Sequence, residues 1–129
     1  MRNAIFTRNA SPGDGPYSQA IRSNGFVFVS GQGPLDRNGQ VVGATIEEQA
    51  ERTLENVRAI LEAAGCTMDD VVKVNVILAD MGHFERFNSV YRTFFKEPMP
   101  ARTCFGGTLD GILVEIDVIA EIPGRGAER

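Results

Sequence analysis

Ile112-Leu113-Val114-Glu115-Ile116-Asp117-Val118-Ile119-Ala120-Glu121-Ile122 alternates between two kinds of surface. Successive side chains of a strand point to opposite faces, so Ile112, Val114, Ile116, Val118 and Ala120 make one apolar face. Leu113, Glu115, Asp117, Ile119 and Glu121 make the other, where apolar residues and acids are mixed. The first face needs a cover. The second is too charged for a core and too apolar to be left wholly to water.

Two helical segments supply the cover. Thr45-Ile46-Glu47-Glu48 has the T-x-x-E form of a capping box, and Ile46, Ala50, Leu54, Val57, Leu61 and Ala64 follow at helical spacing. Gly65 ends that helix as its C-cap. A second helix is predicted over residues 83–96, with Phe84, Phe87, Tyr91, Phe94 and Phe95 on one stripe, and Pro98 and Pro100 stop it. Strands are predicted at 2–6, 17–22, 26–30, 71–78, 101–105 and 112–122. Asn24-Gly25 joins the second and third as a hairpin, because both residues tolerate positive φ. Asn38-Gly39 punctuates the loop at 32–40.

The order is two or three strands, a helix, a strand, a helix and two strands: an α+β fold with one mixed sheet and two crossover helices. Crossovers between parallel strands are right-handed, which puts both helices on the same face. The uncovered, half-apolar face predicts a homo-oligomer with active sites at the subunit seams. The 129 residues, 43% apolar, suit a single domain over 1–129.

Composition narrows the chemistry. Thirteen Lys and Arg against 17 Asp and Glu give a net charge of -4, with no basic run to neutralise phosphates, so no nucleic-acid partner is expected. One histidine, His83, and two widely spaced cysteines, Cys66 and Cys104, lack the ligand number of a metal site, and none is expected. His83 reads as a loop or N-cap residue. No run approaches the roughly 20 apolar residues of a membrane span, and residues 1–6 lack the apolar core of a signal peptide. No membrane association and a cytoplasmic location are the default expectations.

The short connection 106–111 predicts that the last two strands are antiparallel neighbours. Arg102 and Cys104 share one face of the first. If that face is also Glu115's, a cation and a carboxylate meet on the partly apolar surface. From the residues alone the pair is either an ion pair between strands or a site in which the Arg fork grips a carboxylate and Glu handles a proton. Tyr17 either packs or lines a pocket. Ser30-Gly31 ends a strand without the G-x-S-x-G setting of a nucleophile. Cys104 reads as an inert thiol, and Asn88 as a loop cap or a ligand contact.

Gly15-Pro16-Tyr17-Ser18-Gln19-Ala20, Phe28-Val29-Ser30-Gly31-Gln32, Pro100-Ala101-Arg102-Thr103-Cys104 and Val114-Glu115-Ile116-Asp117-Val118-Ile119-Ala120 together resemble the RidA/YjgF family of reactive-intermediate deaminases. The resemblance implies a chorismate-mutase-like fold and a homotrimeric barrel with clefts between subunits. It implies hydrolysis of 2-iminopropanoate, 2-iminobutanoate and their enamine tautomers to 2-oxo acids and ammonia, without a cofactor. By motif, Arg102 would bind the substrate carboxylate and Glu115 would orient or activate water. Tyr17, Ser30, Gly31 and Asn88 would line the cleft, and the Cys104 backbone carbonyl would accept a hydrogen bond from the substrate nitrogen. Leu109-Asp110-Gly111 departs from the Leu-Pro pair of many members. A small-metabolite-binding or chaperone-like trimer is the alternative that the same resemblance allows.

Overall fold

A computed structural model describes residues 1–124. Its chain order is β1 (Asn3–Ile5), β2 (Ala20–Ser23), β3 (Phe26–Gln32), α1 (Ile46–Ala63), β4 (Val71–Leu78), α2 (Phe84–Tyr91), β5 (Ala101–Gly106) and β6 (Val114–Glu121), with single 3-10 turns before β4 and α2. The six strands form one sheet in the order β1-β2-β3-β6-β4-β5. Every pairing is antiparallel except β4 with β5, so the sheet is mixed.

Local chemistry explains the elements. Asn24 at φ 52° and Gly25 at φ 84° form the two-residue turn that matches the twist of β2 and β3. The Thr45 side chain accepts from the Glu48 N–H, and the Glu48 carboxylate accepts from the Thr45 N–H, closing the box at the start of α1. At its end, Gly65 at φ 84° donates to Glu62 O and Cys66 donates to Leu61 O, which satisfies carbonyls the helix leaves over.

The alternation of the last strand decides the core. Val114, Ile116, Val118 and Ala120 are each buried to within 1% of completeness, while Glu115, Asp117 and Ile119 on the opposite face remain half-exposed. Both helices pack over the buried face. α1 contributes Ile46, Ala50, Leu54, Val57, Ile60 and Leu61, and α2 contributes Phe87 and Tyr91. Among the described residues, no helix is long and apolar enough to cross a membrane.

Two buried polar residues of α1 tie down loops. Asn56 Nδ2 donates to Gly33 O and Leu35 O at 3.0 and 2.8 Å, and Gln49 Oε1 accepts from the Leu113 N–H at 2.8 Å. The second of these anchors the entry to β6 on α1.

Two expectations are corrected. α2 ends at Tyr91 instead of running to residue 96, because Thr93 and Phe94 donate to Val90 O and Tyr91 O in tighter i→i+3 turns and the Thr93 hydroxyl caps Val90 O. The last two strands run antiparallel but are not neighbours. β4 lies between them, with β5 on one side and β6 on the other. The connection passes over the end of β4, where Gly107 donates to Leu78 O and Ala79 donates to Leu113 O.

The helix-free face carries Phe28 and Phe105, 44% and 48% exposed, the first in register with Ile119 and the second, in another row, with Ile77. Asn75 bonds Asp117 there at 3.0 Å, and Lys73 bonds Thr103 at 2.9 Å. Apolar surface thus stands exposed beside ordered polar pairs on this face.

Candidate active site

The inserted position of β6 sets the geometry of the site. Arg102 lies in register with Val74, and Val74 with Val118, all on the helix side of the sheet. Glu115 lies in register with Ile77, three residues along β4, and faces the other way. Arg102 and Glu115 therefore stand on opposite faces of one subunit, and the expectation that they share a face is overturned.

On the helix side, the Arg102 guanidinium is held by α2. Its Nη1 donates to Asn88 Oδ1 at 2.8 Å, and its central carbon sits 4.7 Å from the Tyr91 ring centre, 5.6 Å from Phe84 and 5.9 Å from Phe87. Aromatic faces attract a cation without neutralising it. Among the described residues no carboxylate comes within ion-pair distance of Arg102. The half-buried charge is oriented but has no counter-ion among the described residues. Asn88, Tyr91, Arg92, Met99, Pro100 and Arg102 line a shallow pocket at this spot. The Tyr91 hydroxyl is buried without a partner among the described residues, and burial pushes its pKa up to about 12 despite the neighbouring Arg102. Cys104 shares the Arg102 face, half-buried, its thiol pushed up by burial with Arg102 pulling the other way.

On the open face, Asp14, Tyr17, Ser30, Gly31 and Glu115 line a second depression. It is built on a bulge. Between Val29 and Gln32, β3 advances three residues while β6 advances from Val118 only to Ile116. The bulge is pinned by Ser30, whose N–H donates to Gln19 O at 2.9 Å and whose hydroxyl donates to Ser18 O at 2.6 Å. The Tyr17 hydroxyl donates to Asp14 Oδ1 at 3.0 Å and accepts the Asp14 N–H at 3.2 Å, so the exposed ring is latched over the depression. Burial, and then the charge of Asp117 on the same strand face, raise the Glu115 pKa above the ordinary carboxylate value.

The sequence-predicted residues thus fall into two groups. Tyr17, Ser30, Gly31 and Glu115 meet on the open face; Arg102, Asn88 and Cys104 belong to the helix side. Asp14 and Tyr91 join these groups in the structure. Their signals are spacing: Asp14 stands three residues before Tyr17 in a loop flanked by glycines, and Tyr91 follows Asn88 by three, on the same side of α2. His83 caps α2 by position, half-buried, without a side-chain cap bond. Among the described residues, no three His, Cys, Asp or Glu side chains are grouped to hold a metal ion.

A mixed six-stranded sheet under two helices, with Arg102 on one face and the Glu115 depression on the other, defines a small α+β protein. Residues 7–122 match the family described as Endoribonuclease L-PSP. A RutC family protein of Pyrococcus horikoshii is 45% identical over 123 residues, 93% of this chain and 98% of its own length. The 2-iminobutanoate/2-iminopropanoate deaminase of Mus musculus is 41% identical over 123 residues, 93% of this chain and 91% of its own. The crystal structure of E. coli TdcF with bound serine matches with a TM-score of 0.86 at 35% identity, covering 92% of this chain and 98% of that one. The chain belongs to the RidA/YjgF family.

Proposed function

We propose that this protein hydrolyses small 2-imino acids and their 2-enamino tautomers, including 2-iminopropanoate and 2-iminobutanoate, to 2-oxo acids and ammonia. The working unit in this proposal is a homotrimer joined through the open sheet faces. Each cleft takes Arg102, Asn88 and Cys104 from one subunit and Tyr17, Ser30, Gly31 and Glu115 from the next. The observation that carries the reading is the Arg102 guanidinium: bonded on one N–H to Asn88, caged by three aromatic rings and left without a carboxylate among the described residues. Its planar fork suits bidentate binding of a substrate carboxylate.

The chemistry then follows from what an imine requires. Water adds its oxygen to C2 while its first proton reaches the nitrogen, giving a carbinolamine; the new hydroxyl then gives up its proton to the nitrogen, the C2=O bond forms as the C2–N bond breaks, and ammonia leaves. Glu115 accepts the proton of the attacking water and returns it to the departing nitrogen. A carboxyl group raised above its ordinary pKa suits both steps near neutral pH. Held by its carboxylate, the imine carbon is presented to that water, and orientation supplies much of the rate without a covalent intermediate. The mouse relative, named as an imine deaminase, supports the same chemistry.

The test is to generate imino acid in situ with an amino-acid oxidase and follow its decay. Acceleration by the wild-type protein is expected, and no acceleration by a properly assembled sample would refute the reading. The serine-bound relative favours one second reading, a trimeric module that binds small amino or oxo acids without turnover. Tight 2-oxo acid binding with no imine decay would select it. Ribonuclease action fits poorly with a net charge of -4 and the absence of a basic run.

A further inference from the structure

An ideal Cβ built on Gly31 would lie 2.6 Å from Glu115 Oε2, 3.0 Å from its Cδ and 3.3 Å from its Cγ. The Glu115 carboxylate thus occupies the space that any other residue at position 31 would fill. The backbone at Gly31 is not in the left-handed region, since its φ is not among the positive values seen at seven other glycines. Alanine fits the backbone there, and the three atoms nearest its Cβ all belong to the Glu115 side chain. Around this contact the bulge is fixed, with Ser30 bonded to Ser18 O and Gln19 O, and Gln32 Nε2 bonded to Ser30 O at 3.1 Å.

The geometry points to Gly31 as a positioning residue: the missing side chain lets the Glu115 carboxylate fold against the β3 bulge and so aims it into the cleft. The inference rests on the proposed role of Glu115 as the proton-handling group. It goes beyond a lining role for Gly31, because it assigns the glycine an effect exerted through another side chain. The alternation of β6 decides only that Glu115 faces the open side. The extra residue in β3 and the absence of a Cβ at its apex decide where on that side the carboxylate rests.

The far end of Glu115 is flexible, so Gly31→Ala is expected to fold, assemble and melt close to wild type while the carboxylate swings out. Misplacing a catalytic group by about 1 Å costs on the order of 10²-fold in rate. A fall in kcat of that order is expected for Gly31→Ala, with KM little changed because Arg102 is untouched. Glu115→Asp ends one methylene earlier and clears most of the clash. Gly31→Ala/Glu115→Asp should therefore be faster than the product of the two single effects allows.

A second readout does not depend on turnover. In a 13C NMR titration of the Glu115 carboxyl, Gly31→Ala should bring the pKa down toward the ordinary glutamate value as the group gains water. Wild-type kcat together with an unchanged Glu115 titration in Gly31→Ala would overturn the inference, and so would strictly additive losses in the double variant. If the wild-type protein turns over no imine while the titration still shifts in Gly31→Ala, the deaminase reading falls and the positioning role stands.

Discussion

Replacing Arg102 with alanine probes the observation on which the proposed activity rests. Of the five guanidinium N–H donors, one is committed to Asn88, and a parallel pair remains to face a substrate carboxylate. Each charge-assisted bond is worth about 1.5–3 kcal/mol, and the pocket is open enough for water to replace part of it. A loss of about 3 kcal/mol is therefore expected, which at 1.36 kcal/mol per decade is on the order of 10²-fold in kcat/KM. Arg102→Lys keeps the charge but loses the fork, and it should recover part of that loss and no more. The assay is initial-rate imine hydrolysis at several substrate concentrations, with oligomeric state checked by light scattering. Because the half-buried charge has no counter-ion among the described residues, Arg102→Ala should leave assembly intact. Wild-type kcat/KM in assembled Arg102→Ala would refute the carboxylate-binding role and the mechanism built on it.

Glu115→Gln should abolish most turnover yet stabilise the protein at alkaline pH. The folded-state pKa of Glu115 is raised, so the folded state favours the protonated form; stability falls as pH climbs from the unfolded value through the folded one. The variant's gain in Tm should appear at pH 8 and vanish near pH 4, and a lower Tm than wild type at pH 8 would contradict the burial argument. Tyr91→Phe retains the ring 4.7 Å from Arg102 and removes a hydroxyl without a partner among the described residues. Denaturant unfolding should show it more stable by about 1 kcal/mol, whereas Tyr91→Leu should raise KM through a looser Arg102. Thr45→Ala opens the capping box of α1 and should cost about 1 kcal/mol, visible as a lower denaturation midpoint with catalysis unchanged.

Much of the fold is legible without coordinates, and the legible parts share a cause. The Asn24-Gly25 turn, the Thr45–Glu48 box, the Gly65 cap and the alternating faces of β6 depend on residues within one or two turns of chain. The end of α2 is less legible, because its aromatic stripe continues to Phe95 as buried packing after the helical hydrogen bonds have stopped.

The sequence by itself determined which residues carry charge into an apolar setting: Arg102 after Pro100-Ala101, and Glu115 within the alternating strand. Tertiary structure alone decided how they relate. A strand has two equivalent edges, and nothing local states which one a distant segment will occupy. The seven residues 107–113 can reach about 24 Å, ample to cross the roughly 10 Å of two strand spacings. β6 can therefore pass β5's partner, β4, and bond along both of its own edges, to β3 and to β4. That insertion buries its apolar face under both helices, alternation leaves Glu115 on the open face, and β5 carries Arg102 on the helix side. What reads as a neighbouring pair along the chain becomes two half-sites on opposite faces, a division that a second copy of the chain is proposed to close.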